Sequence, residues 1–172
     1  MDNIDVLVLH GSPGAGKTTV ARAVSEMLRE ADVAHGVIDL DEISLVHPSP
    51  GRSFARENLK VLWPRYAAVP GLRLVLPSVI ADEEELVLLR EALPGGKVVV
   101  CELTAPQDVL KARVTEREPN DWWREGLRRW VDVYHGRSDL ARIRDFLVST
   151  HEKAVEDAAR EVIAKWEGAT AK

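Results

Sequence analysis

Residues 11 to 18 constrain this chain more than any other stretch. Gly11-Ser12-Pro13-Gly14-Ala15-Gly16-Lys17-Thr18 satisfies G-x-x-x-x-G-K-[ST] at every fixed position. The flanks carry as much weight as the letters. Ile4-Asp5-Val6-Leu7-Val8-Leu9 reads as a buried strand entering the loop, and from Lys17 onward the apolar spacing is helical. The glycines let the backbone turn tightly, so that successive N–H groups point inward at an oligophosphate seated on a helix N-terminus. Lys17 adds a point charge and Thr18 a hydroxyl for a divalent cation.

The rest of the chain alternates between two periods. Val20, Val24, Met27, Leu28 and Ala31 mark a first helix over about 17–31, and Val37-Ile38-Asp39-Leu40-Asp41 a short strand ending in two acids. A helix over about 53–69 follows, with Pro64 expected to kink it and Pro70-Gly71 to stop it. Leu72–Leu76 predicts the third strand, terminated by Pro77, and Asp82 with Glu85 a capping box for a helix that Pro94-Gly95-Gly96 ends. Val98–Leu103 predicts the fourth strand. Thr104 with Gln107 reads as another cap pair, and Pro106 fits a first helical turn. After the break at Glu118-Pro119-Asn120, the stripe Trp123, Leu127, Trp130, Val131 and Tyr134 predicts a helix whose aromatic side pairs with the core; a nucleotide-stacking platform is the other reading. Phe146–Val148 predicts the fifth strand, and Ser149 with Glu152 the cap of a last helix. The alternation implies one α/β domain over 1–172: a three-layer parallel sheet of about five strands, helices on both faces, and ligands at the carboxyl ends of the strands.

Composition narrows the partners. A net charge of −5 carries no nucleic-acid footprint, and Asp121, Glu125 and Asp132 interleave with Arg124, Arg128 and Arg129 as on a solvated helix face. Cys101, the single cysteine, lies in an apolar strand where a buried, inert thiol is expected. No signal-peptide order and no membrane-length apolar run appear, so a cytoplasmic protein without membrane contact is expected.

The order strand, phosphate loop, helix, strand, Asp-x-Asp resembles the P-loop kinases of nucleosides and small metabolites, which include shikimate, gluconate, adenylyl-sulfate and adenylate kinases and chloramphenicol phosphotransferase. Leu103-Thr104-Ala105-Pro106 followed by Leu110 to Arg117 is similar to the strand, Pro, Leu-x-x-Arg, Arg run of that group, and the chain most resembles its uncharacterised kinase-like ATPases. The resemblance implies a P-loop NTPase fold of the nucleoside-kinase type, ATP and Mg²⁺ as cofactors, and transfer of the γ-phosphate to a hydroxyl of a small molecule. It implies that Gly11, Ser12, Pro13, Gly14, Ala15, Gly16, Lys17, Thr18 and Thr19 hold the nucleotide, that Thr18 and Asp39 serve the metal, and that Asp41 orients or deprotonates the acceptor. It also implies that Arg113 packs over the adenine and that Arg117 belongs to a phosphate-closing lid over about 113–125. Two bland readings stand beside these: Asp41 as the cap of a short turn, and Arg113 and Arg117 as surface cations paired with Glu116 and Glu118.

One departure bears on the reaction. The third strand ends Leu76-Pro77-Ser78, without the carboxylate that P-loop hydrolases place there. A nucleotide-binding regulatory ATPase with no small-molecule acceptor is the alternative this leaves open, and a polynucleotide kinase fits the acidic balance poorly. For the acceptor, the polar candidates after the second strand are Ser44, His47, Arg52, Arg56, Asn58 and Arg65, and Arg52 and Arg56 share a helix face suited to an anion; His10 has no partner pattern.

Overall fold

In the computed structural model, which describes residues 4–171, five parallel strands lie in the order β2-β3-β1-β4-β5. They are β1 (Ile4–Gly11), β2 (His35–Val37), β3 (Arg73–Pro77), β4 (Gly96–Thr104) and β5 (Phe146–Ser149). The connecting helices are α1 (Lys17–Glu30), α2 (Ser53–Ala67), α3 (Glu83–Glu91), α4 (Gln107–Arg117), α5 (Asp121–His135), α6 (Leu140–Ile143) and α7 (Val155–Thr170). β1 sits centrally because it is apolar on both sides. It pairs with β4 from Ile4↔Gly96 to Gly11↔Leu103 and with β3 from Asp5↔Arg73 to Leu9↔Pro77.

The alternation of side chains along β1 divides the core. Leu7 and Leu9 face α1 and α7, in a layer with Val20, Val24, Val162 and Trp166. Val6 and Val8 face α2 and α3, with Leu59, Trp63, Leu86 and Leu89. Each such side chain, taken from water to full burial, contributes about 1.5–3 kcal/mol. Cys101 lies in the first layer, where burial pushes its thiol pKa up, as an inert structural cysteine requires.

Several boundaries differ from the sequence pattern. β2 is His35–Val37, earlier than the apolar run suggests; beyond it the backbone still follows β3, with Ile38 N–H donating to Val75 O and Leu40 N–H to Pro77 O. Pro77 ends β3 from within, as its last residue and not the one just past it, since its carbonyl remains useful where its missing N–H is not. Asp82 caps α3 as expected, accepting from Glu85 N–H at 2.8 Å, but the Glu85 carboxylate turns to Ala81 N–H. Neither Thr104 nor Ser149 caps a helix. Thr104 closes β4 and Pro106 is the N-cap of α4; Ser149 Oγ accepts from His151 N–H, Glu152 takes a positive φ of 51°, and α7 begins only at Val155.

One glycine decides how the phosphate loop packs. Gly14 has φ +81°, and a Cβ there would lie 2.9 Å from Leu110 O and 3.1 Å from Val114 Cγ1 of α4. Gly14→Ala is expected to cost about 1–3 kcal/mol, which for a domain of this size lowers the melting temperature by roughly 2–12 °C; thermal denaturation followed by circular dichroism measures it.

Candidate phosphate-transfer site

The loop between β1 and α1 closes with Ala15 N–H on Ser12 O at 3.1 Å and Val20 N–H on Gly16 O at 2.8 Å. Its outward carbonyls are taken by side chains: Arg113 Nη1 donates to Gly14 O at 3.2 Å, and Thr150 Oγ1 to Ala15 O at 2.9 Å. Lys17 Nζ lies back over the loop, donating to Gly11 O at 2.9 Å and Ser12 O at 3.0 Å. Burial lowers its pKa to about 8, the Asp41 carboxylate pulling it up and Arg117 pushing it further down. An incoming polyphosphate favours the charged form of this amine.

Both acids after β2 reach this site. Asp39 Oδ2 accepts from Thr18 Oγ1 at 3.0 Å, and its Oδ1 accepts from Asp41 N–H at 3.0 Å. The two carboxylates do not approach by strand pleating, as the pattern Asp-x-Asp suggests. Asp41 has α-helical dihedrals (φ −68°, ψ −39°), and the turn closed by the Asp39 side chain brings it alongside. Asp41 stands at the N-cap of the short 3₁₀ turn Glu42–Ser44, yet its side chain makes no capping bond. The crowding around it, and the neighbouring Asp39, push its pKa up; Lys17 and Arg52 pull it down. A hydroxyl and a carboxylate in contact, with no group of three or more acidic, imidazole or thiol side chains gathered among the described residues, are hard oxygen donors of the kind that suits a divalent cation shared with phosphates and waters rather than an all-protein metal cage.

A cavity of about 300 Å³ adjoins the loop, lined by Gly14, Gly16, Thr19, Arg113, Thr150 and Lys153 among others. Arg113 is fixed there by Nη1 to Thr150 Oγ1 and Nη2 to Thr150 O, both at 2.9 Å. Arg117, one turn on, is exposed at the end of α4, and its charge is felt at Lys17. Neither arginine makes an ion pair with Glu116 or Glu118 among the described residues. Thr150 and Lys153 escape sequence reasoning because the β5–α7 connection carries no motif.

The acceptor candidates separate. Ser44 Oγ closes its own turn on Leu40 O, Asn58 Nδ2 donates to Ile43 O at 2.7 Å, and Arg65 is exposed toward the far end of α2. Arg52 pairs with Glu85 at 3.0 Å and donates to Val79 O at 3.3 Å; Arg56 lies 3.9 Å from Glu57. His47 is exposed in the loop beyond Asp41.

His10 has a role that its bare position in the sequence hides. Fully buried, it accepts at Nδ1 from Ile80 N–H at 2.9 Å, so Nε2 carries the proton and donates to Tyr134 Oη at 3.1 Å. Tyr134 then donates to Glu102 Oε1 at 3.1 Å, and Arg144 holds Glu102 Oε2 at 2.6 Å. The chain fastens α5 to the strand that enters the phosphate loop. A histidine directly before the motif, at the end of a buried strand, was the available signal.

The sheet order and this loop define a P-loop NTPase fold of the kinase type. Comparison with known proteins agrees. The Zeta toxin family model matches residues 4–57, the segment that holds the loop and both acids. Over 168 residues the chain is 26% identical to the UPF0200 protein PAE1629 of Pyrobaculum aerophilum, covering 92% of this chain and 95% of that one. Among solved structures, a gluconokinase from Sinorhizobium meliloti superposes with a TM-score of 0.67 at 19% identity, covering 98% of this chain and 94% of that one. The Mycobacterium tuberculosis APS kinase CysC, in complex with AMPPNP and APS, gives 0.67 at 20%, covering 97% and 99%. Among the described residues, no helix is long and apolar enough to cross a membrane.

Two predictions follow from the His10 chain. Tyr134→Phe leaves polar atoms of His10 and Glu102 buried without their partner, and urea denaturation is expected to show a loss of about 1–3 kcal/mol. Burial holds the His10 pKa near 3 in the folded protein against 6.5 when unfolded. Below about pH 6.5 the unfolded chain therefore binds a proton that the folded chain refuses. This contribution to stability is full above that pH and falls toward pH 3, by up to about 1.4 kcal/mol per pH unit. His10→Gln is expected to flatten that slope in urea titrations across the range.

Proposed function

We propose that the protein is an ATP-dependent phosphotransferase that moves the γ-phosphate to a hydroxyl of a small molecule. The observation that carries this is the convergence of Lys17, the Thr18–Asp39 pair and Asp41 on one mouth of the sheet, where a phosphate-holding group, a metal-holding pair and a second carboxylate stand together. Phosphoryl transfer needs in-line placement and charge neutralisation more than covalent help, and this set supplies both.

The loop N–H groups and Lys17 bind the triphosphate, with Gly11 to Thr19 as the cradle. Thr18 and Asp39 hold Mg²⁺, which when bound neutralises charge on the phosphate oxygens. Asp41 orients the acceptor hydroxyl and takes its proton, with Lys17 and Arg52 as the cations nearest its carboxylate. Arg113, at the cavity beside the loop, bounds the nucleoside, and Arg117 adds positive charge at the phosphate end. The absence of a carboxylate at the end of β3, where Pro77 and Ser78 stand, leaves Asp39 as the acid beside Thr18.

Lys17→Ala is expected to lower transfer by about a hundredfold or more and to weaken ATP binding. Asp41→Asn is expected to lower transfer by about 10²–10⁴-fold while ATP affinity changes little. Isothermal titration with ATP and an ADP-release assay over a panel of small hydroxyl compounds measure both. ADP release that never rises with any acceptor would return the protein to a nucleotide-binding regulator.

A further inference from the structure

The apolar stripe of α5 does not behave as a core stripe. Val131 and Tyr134 are buried, but Trp123 and Trp130 remain 56% and 59% exposed, so the expectation that the aromatic side of this helix packs inward holds only for its last two positions. The neighbours of α5 show which way the two indoles face. On one flank, Arg124 Nε donates to Glu118 O at 3.0 Å, Arg128 Nη1 to Thr115 Oγ1 at 2.9 Å, and Asp132 pairs with Lys111 at 2.6 Å, so that flank is turned to α4. α4 itself reaches the end of β5 through Arg113 and Thr150. α5 reaches the end of β1 through Tyr134 on His10, and just past α5 Arg137 Nη1 donates to Ile80 O at 2.7 Å, in the connection that follows β3. The step from α4 to α5 thus runs from β5 toward β3, and the next strand in that direction is β2, whose end carries Asp39 and Asp41. Trp123, Trp130 and Tyr134 form one row at i, i+7 and i+11, on the flank away from α4 and toward those acids.

The opposite wall is the start of α2, where Arg52 donates to Val79 O, next to the Ile80 carbonyl that Arg137 holds. Two helices therefore flank the same β3–α3 connection, and since the Arg52 charge is felt at Asp41, this placement puts the cleft between them on the Asp41 side. Arg52 is paired with Glu85 at 3.0 Å and Arg137 with Asp139 at 2.9 Å, whereas Arg56 lies 3.9 Å from Glu57, which also holds Lys60 at 3.1 Å. Indole surface lies open on α5, and exposed Leu45 and Val46 follow Asp41 in the chain. Trp122, with its ring 4.7 Å from Trp123 at 79°, braces that indole edge-on.

We infer that Trp123 and Trp130 form the acceptor wall of the cleft, and that the acceptor is an alcohol carrying a planar ring, which stacks on these indoles while its hydroxyl reaches Asp41. The inference rests on the transferase reading for the identity of the hydroxyl, but the stacking site is testable by itself.

The test uses matched pairs that differ only in a ring, phenyl β-D-glucoside against glucose and uridine against ribose, titrated into the full chain loaded with AMPPNP and Mg²⁺, with ADP release from ATP measured in parallel. The ring-bearing member is expected to bind at least about tenfold more tightly and to quench tryptophan fluorescence. Trp130→Ala and Trp123→Ala are expected to bring each pair to within about twofold, and Trp130→Phe to keep the preference. Both indoles are exposed, so the alanine variants are expected to melt as the parent does. Equal affinity within each pair, no binding by any of the four, or a preference untouched by both alanine variants overturns the inference. So does sedimentation showing a stable dimer that these variants dissociate, since a second copy would then cover the wall. Ring-selective binding without any rise in ADP release upholds the stacking site and removes the transferase reading.

Discussion

For loop N–H groups to point inward at a phosphate, the loop carbonyls must be satisfied elsewhere, and the rest of the structure depends on how this is done. Gly14 O and Ala15 O accept from Arg113 and Thr150, and Arg113 is itself locked to Thr150 by two bonds at 2.9 Å. Residues from α4 and from the β5–α7 connection thereby hold a loop whose own sequence was chosen for freedom to turn. The same packing explains why Gly14 tolerates no side chain: the Leu110 carbonyl of α4 fills the space a Cβ would need. Three segments far apart in the chain meet at one turn, and they can do so because β1 and β4 are paired along their whole length.

The acids after β2 show a second kind of economy. A strand only three residues long delivers them, and the Asp39 side chain serves two neighbours at once, accepting from Thr18 with one oxygen and from Asp41 N–H with the other. A carboxylate fixed in this way keeps its orientation without help from a further helix or loop. Asp41, by contrast, makes no capping bond and is left to the cleft, with Lys17 and Arg52 as its electrostatic counterweights. The difference suits the division of roles proposed for them.

Much of this was legible in the residues because the signals were local. The phosphate loop, the continuous apolar strands and the capping Asp82 are patterns that a few neighbours determine, and the layer order follows from their alternation. What was not legible depended on distant partners. Ser149 and Glu152 look like a helix cap, yet the Thr150 beside them is drawn to the phosphate loop and α7 starts later. His10 has no partner pattern in its own neighbourhood, because its partner Tyr134 lies 124 residues away in the chain. The α5 stripe differs for another reason: helical spacing says that residues share a side, not that the side is covered, and Trp123 and Trp130 stand exposed on it.

The fastening of Tyr134 has a mechanical side. Its hydroxyl is gripped by His10 and Glu102, and Arg137 stacks 5.4 Å over its ring, so the C-terminal end of α5 is a fixed point on the sheet. Measured along the helix axis, Trp130 stands about 6 Å and Trp123 about 16 Å from that fulcrum. A tilt of roughly 10° about Tyr134 then carries Trp130 about 1 Å and Trp123 nearly 3 Å, by the same axial rise. The helix is in this sense a graduated lever, stiff beside the β1 strand and longest in reach at the end nearest Arg117.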